Sequence, residues 1–352
     1  MIIYFAIMVI LSVLYYYQRD NKKLFVISSF CILAFIAAIR NVSVGTDTKQ
    51  FCEIYSDIAE NSWSYFYTVS GFNGRMEPGF YLLCKLLSYI TKNHQILIAT
   101  TSLFSIGTFC YYIYKESKNA YLSMIIFIGF QHYAMYLTAM RQVLAISILI
   151  IGYEIFLKKE KNLPYILMVI IAMQFHISAF IGLIYLFLRK VNFSIKAMLI
   201  LILATFVSSL ILPKLLIFIT KYIGFSEYID SMFFVSNYSA AVIQLAVYLL
   251  FFSITLFYKQ YTDYDDKFLL YLLLLNVIFQ IFGIQIVIIE RVILYFSILS
   301  LSLLPNCLEY EEEFYSKKCL QIGIVVLSVA YCFVVLYFRP EWTYIVPYKP
   351  FF

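Results

Sequence analysis

Leu320 to Phe338 reads LQIGIVVLSVAYCFVVLYF, nineteen residues without a charge. A stretch of about 17–25 apolar residues is long enough to cross a bilayer as a helix. In hydrocarbon only helices and closed barrels satisfy the backbone, and this run lacks the strict alternation of a barrel strand. Leu199 to Leu212 and Ser239 to Tyr258 are likewise uncharged. Over 352 residues, 63% are hydrophobic and 13% charged, against about 25% charged in soluble domains. The mean hydropathy of +0.86 excludes a water-soluble surface. The net charge of +6 comes from small basic clusters between apolar runs, the pattern of a membrane protein and not of a nucleic-acid binder.

Working outward, apolar runs fall at 2–17, 24–39, 95–114, 120–138, 141–157, 196–212, 239–258, 267–283, 291–307 and 318–338. The first lacks a basic leader and a small-residue cleavage site, so it reads as a retained helix. Segment 163–188 is interrupted by Gln174 and His176 and carries basic residues at both ends. It is read as a helical hairpin. The expected fold is an all-α polytopic transmembrane bundle of about 11–12 helices, forming a single membrane domain over 1–352. A long first extracytoplasmic loop at 40–94 holds short amphipathic helices, one of them at 80–90, and a second such loop covers 213–238.

With the hairpin counted as two helices, fifteen basic residues in the short linkers share one side, among them Arg19, Lys22, Lys115, Lys158, Arg189, Lys267 and Lys317. The positive-inside rule makes that side cytoplasmic. Five of the seven arginines fall on the other side: Arg40, Arg75, Arg141, Arg291 and Arg339. Arginine is the better bidentate partner for phosphate, though one at a helix end also snorkels to headgroups. The seven cysteines show no C-x-x-C spacing and read as small hydrophobes. Cys52 and Cys84 are the one pair placed for a disulfide.

The outer side carries, in order, Arg40-Asn41-Val42-Ser43-Val44-Gly45-Thr46-Asp47, then Glu77-Pro78-Gly79-Phe80, Arg141-Gln142, and Phe175-His176-Ile177-Ser178-Ala179. This series resembles the EpsG-like family of bacterial polysaccharide polymerases, the Wzy-type group, over about residues 35–300. The C-terminal Pro347-Tyr348 is a looser echo. The resemblance implies polymerisation of a cell-surface polysaccharide (O-antigen, capsule or exopolysaccharide) at the outer face of a bacterial cytoplasmic membrane. The implied partners are undecaprenyl-pyrophosphate-linked glycan donor and acceptor in the lipid bilayer, with a chain-length regulator and a flippase as further candidates and no nucleic acid.

That chemistry needs positive charge for a diphosphate leaving group and a base for an acceptor hydroxyl. Arg141 and Arg291 are the first candidates for the diphosphate, with Arg40, Arg75 and Gln142 as further substrate-binding candidates. His176 is a candidate base or hydrogen-bond donor, and equally a structural residue. Asp47 is a candidate base or a helix cap; Glu77 is a candidate base or the partner of Arg75. His94 reads as solvated and His132 as a buried hydrogen-bonding residue. No P-loop, G-x-G-x-x-G, H-E-x-x-H or Cys/His cluster occurs, so no metal and no cofactor are expected. A membrane glycosyltransferase or ligase with a lipid-linked donor would use nearly the same chemistry. A flippase would instead place charges along a central cavity at several depths.

Overall fold

The computed structural model describes residues 1–69, 76–211, 238–258, 264–284 and 289–352. Arg75 and nearly all of the loop 213–238 lie outside these residues. Among the described residues the chain is helical, with one isolated β-bridge, Arg40 to Pro350. In chain order the α-helices are α1 Ile2–Gln18, α2 Lys22–Ala38, α3 Thr48–Glu60, α4 Tyr65–Val69, α5 Pro78–Ser88, α6 Gln95–Glu116, α7 Ala120–Gly129 and α8 His132–Thr138. They continue as α9 Met140–Ile155, α10 Asn162–Met173, α11 Ile184–Leu188, α12 Ile195–Ser209, α13 Tyr238–Phe257 and α14 Tyr264–Gly283, ending in α15 Ile289–Ser300, α16 Leu303–Leu308 and α17 Phe314–Phe338.

Every apolar run read from the sequence carries a helix at its place. Among the described residues five helical stretches are long and apolar enough to cross a membrane: Gln95–Glu116, Met140–Lys159, Asp266–Gly283, Ile289–Leu308 and Phe314–Phe338. The pair α7 and α8, bent by 60°, makes a sixth, and five shorter apolar helices accompany them. The chain is thus an all-α polytopic bundle. The run at 120–138 is broken because Gln131 takes a left-handed conformation with φ 65°, and His132 just after it is buried.

The single membrane domain expected over 1–352 divides into two compact units, Met1–Leu183 with Lys318–Phe352, and Ile184–Lys317. In the first, the basic linkers meet at one end. The Lys22 ammonium donates to the Ser117 carbonyl, and Lys158 pairs with Glu116 at 2.6 Å. Asn21 and Asn119 cap α2 and α7 there by accepting from the Leu24 and Leu122 N–H groups, satisfying donors that a helix start leaves open. In the second unit the Tyr258 hydroxyl donates to Glu311 and Lys317 pairs with Glu309, again among the basic linkers.

The reversal expected within 163–188 is present in the first unit, up to Leu183. The Tyr165 hydroxyl donates to the Gly182 carbonyl at 2.9 Å, whereas seventeen residues of unbroken helix would hold them about 25 Å apart. The chain reverses through Gln174–His176 into a 3₁₀ turn, Ile177–Leu183. At the core, α9 is buried at every position from Gln142 to Ile150. The disulfide that was the alternative for Cys52 and Cys84 is absent: both thiols are free and packed in one cluster with Phe51, Tyr55 and Phe80. They pack there as small hydrophobes.

Gly129 lets α7 touch α17, since a Cβ there would lie 2.5 Å from the Ser328 Cβ and 2.8 Å from its carbonyl oxygen. Small residues are what permit such close crossings in membranes. Gly323, on α17, has nothing within 4 Å of its Cβ position. Gly129→Leu is therefore expected to cost about 1–3 kcal/mol and to lower the melting temperature in detergent, while Gly323→Leu leaves it unchanged. Equal melting temperatures for the two variants would contradict this packing.

Candidate functional site

The end of the first unit opposite its basic linkers gathers four of the sequence clusters. The site begins where α8 stops. The Leu137 carbonyl, released by the break before α9, accepts from the Thr48 hydroxyl at 3.2 Å. Gly45, at φ 103°, comes so close that a Cβ would sit 2.6 Å from that same oxygen. Only glycine combines that backbone angle with that approach. The Val-Gly-Thr-Asp stretch thus fixes the start of α9, and with it Arg141.

Arg141 donates through Nη1 to Glu77 Oε2 at 2.5 Å. Its guanidinium lies 4.9 Å from the centre of the Phe51 ring on α3, a cation–π arrangement. The side chains of the pair are 22% and 16% exposed, so solvent shields them only partly. Glu77 Oε1 accepts from the Ile177 N–H at 3.4 Å. Glu77 therefore links α5, α9 and the turn after α10. The partner expected from the sequence was Arg75, which lies outside the described residues; the observed partner is Arg141.

Pro78 and Gly79 explain how this turn is reached. Pro78 opens α5, where its missing N–H costs nothing. The next two amides, of Gly79 and Phe80, both donate to the Gln174 carbonyl at 2.8 and 3.2 Å. Gln174 is the last residue of α10's cap, so the positive end of one helix meets the negative end of another. A Cβ on Gly79 would lie 2.8 Å from both the Gln174 Cβ and its oxygen. The interruption at Gln174 and His176 is thus a docking point.

His176 follows at once. Its Nδ1 lies 2.5 Å from the Ser178 hydroxyl, which fixes the ring, and the next amide, of Ile177, is the one bonded to Glu77. Phe175 packs against the cluster holding Phe51, Phe80 and Met140. Asp47 caps α3 without a side-chain cap bond and stands one turn before Phe51. Glu77 and Arg141 are therefore paired, with the backbone just after His176 bonded to Glu77 and Asp47 on the adjoining helix start.

The remaining sequence candidates lie elsewhere. Arg40 is 1% exposed, and its Nη1 donates to the Ala37 carbonyl and the Ser102 hydroxyl at 2.6 and 2.7 Å. Burial pushes its guanidinium down to about 10, still protonated at neutral pH. Gln142 is buried within the core. Arg291 belongs to the second unit, exposed in the first turn of α15 beside Glu290. Phe51, the Gln174 carbonyl and the Ile177 amide were not singled out in the sequence. The apolar spacing Phe51, Tyr55, Ile58 on a short helix was the one available signal for the first. Among the described residues no group of three or more His, Cys, Asp or Glu is placed to hold a metal ion.

A family model described as the EpsG family matches residues 23–350. The chain belongs to the EpsG family. No curated protein and no solved structure gave a match. EpsG membership supports a polymerase-type role in polysaccharide biosynthesis, and the apolar helices fit a multi-pass membrane protein. In this EpsG protein the Glu-Pro-Gly-Phe, Arg-Gln and Phe-His-x-Ser-Ala clusters share one site.

The shielding of the Glu77–Arg141 pair predicts strong coupling. Glu77→Gln and Arg141→Gln should each lower the melting temperature in detergent, because each leaves a half-buried charge without its partner. The double variant should lose less than the sum, by about 1–3 kcal/mol. Additivity within about 0.5 kcal/mol would show that the pair contributes nothing to the fold.

Proposed function

We propose that this protein joins oligosaccharide repeat units carried on undecaprenyl pyrophosphate into a cell-surface polysaccharide, at the outer face of the cytoplasmic membrane. The observation that supports this reading is the pairing of Arg141 with Glu77, bonded in turn to the amide that follows His176, at the end of the first unit opposite its basic linkers. In the reaction a bond forms between the acceptor hydroxyl oxygen and the donor's anomeric carbon. The bond from that carbon to the diphosphate breaks, and the acceptor's proton passes to a protein base.

Arg141 is the group for the leaving diphosphate. A guanidinium matches phosphate oxygens geometrically and is worth most where charge develops in a partly dry site. Glu77 holds the guanidinium in place before substrate arrives, and the diphosphate then competes with it for the same donors. This makes Glu77 a positioning residue and leaves His176 and Asp47 as the candidate bases. His176 has its ring fixed by Ser178, and imidazole is the side chain most often used as a general base. Asp47 stands at the start of α3, one turn from the Phe51 ring under Arg141. Arg291, in the second unit, is proposed as a separate phosphate-binding group.

Cells lacking the chromosomal copy and carrying Arg141→Ala are expected to lose long glycan by a hundredfold or more, on the order of 10²–10³, while single repeat units accumulate on lipid. His176→Ala should reduce polymer more than His94→Ala. Wild-type chain lengths in Arg141→Ala would end the leaving-group assignment, and units retained on the inner face would point to transport instead.

Orientation is tested with Lys49→Cys, on the exposed face of α3, in a chain with Cys31 and Cys319 replaced by serine. A maleimide that does not cross the inner membrane should label it in intact cells. Labelling only after that membrane is opened would reverse the topology.

A further inference from the structure

Helix α5 is built inside out for a helix in water. Its exposed residues are Pro78, Leu82, Leu86 and, just past its end, Tyr89 and Ile90. They recur at the spacing of one helix face, and the last four are 47%, 53%, 67% and 72% exposed. That face carries no charge and no amide. The helix's one cation, Lys85, is 6% exposed and points inward. Its ammonium donates to the Ile58 and Asn61 carbonyls at the end of α3, where the helix dipole favours a cation.

Helix α3 is the reverse. Its exposed residues are Lys49, Gln50, Glu53, Asp57 and Glu60, and its buried ones, Phe51, Cys52, Tyr55 and Ile58, pack in one cluster with Phe80, Tyr81 and Cys84 of α5. The two stacked helices therefore present one face suited to water and one suited to oil. At eleven residues α5 is about 16 Å long, half of the roughly 30 Å needed to span a bilayer. It leads into α6, whose Leu103 and Phe104 are also exposed, so the apolar surface continues onto a spanning helix. Trp63 donates its indole N–H to the Tyr89 hydroxyl at 2.9 Å with both rings exposed, as aromatic side chains do at a membrane boundary.

We propose that α5 is an interfacial helix, lying in the plane of the membrane with Leu82, Leu86 and Ile90 against the acyl chains and α3 above it in water. Because Glu77 caps α5, the Glu77–Arg141 pair is held at headgroup depth. A phosphate on a membrane-bound isoprenoid resides at that depth. The in-plane position stands on the exposure pattern alone; the leaflet, the outer one, rests on the function proposed above.

The test is Leu86→Trp in a chain with Trp63 and Trp342 replaced by Phe, reconstituted into sealed phosphatidylcholine vesicles. Asp57→Trp in the same background is the water-facing control, and Leu82→Trp is a second probe should Leu86→Trp fail to fold. Tryptophan at 86 should emit to the blue and be quenched several-fold more by lipids brominated high on the acyl chain than by those brominated near its end. It should resist iodide, which quenches the control. Iodide quenching equal to the control, stronger quenching from deep bromines, or no quenching by either reagent would each overturn the proposal. Iodide that reaches Asp57→Trp only from the cytoplasmic side would overturn the leaflet and the outer-face reading while leaving the in-plane helix standing.

Discussion

One carbonyl oxygen, that of Gln174, accepts two amide hydrogens from the start of α5. A helix end leaves its last carbonyls without intrahelical partners, and a helix start leaves its first amides so. Docking the two ends on each other answers both needs at once. It requires a glycine at 79, because any side chain would collide with Gln174. It also brings Glu77 beside the Ile177 amide and within reach of Arg141. The chemistry of the site is thus a by-product of how two helix ends share their backbone groups.

Arg40, Arg141 and Arg339, alike in sequence, do different work. Arg40 is sealed in the bundle, bonded to Ala37 and Ser102, and its backbone pairs with Pro350. Around it Asn41 donates to Lys349, Gly45 to Tyr344 and Phe351 to Ile39, so the loop after α2 is laced to residues 344–351. Arg339 pairs with Glu341 next to it. Arg141 lies between an aromatic ring and a carboxylate. A guanidinium's role is set by its surroundings, and a count of arginines on one side of a membrane does not give those.

Much of the architecture was legible from the sequence because hydropathy acts over whole segments. The runs and the reversal at Gln174–His176 have their structural counterparts, and within the first unit the basic linkers meet at one end. The pairing of Glu77 with Arg141 was not legible. It depends on residues 64 positions apart meeting through a backbone contact at Gln174, and backbone contacts leave no side-chain signature. Gly79 is a partial exception, since a glycine directly after a proline at a helix start suggests close approach, though not to what. The cysteine pair misled because a polar stretch was taken to mean exposure. Cys52 and Cys84 instead face inward from α3 and α5 onto a shared apolar cluster.

The first unit is assembled from two separated parts of the chain, 1–183 and 318–352, with the whole second unit between them. Residues 344–351 brace the loop that ends at Asp47. During synthesis from the N-terminus, that brace emerges only after the whole second unit. More than two hundred and ninety residues separate the strap from the loop it closes, one of the longest loop closures a chain of this size allows. A ribosome stalled anywhere before residue 318 leaves a bundle whose corner at Gly45–Asp47 is unlaced, and quality control acting on exposed backbone would read that corner as unfinished.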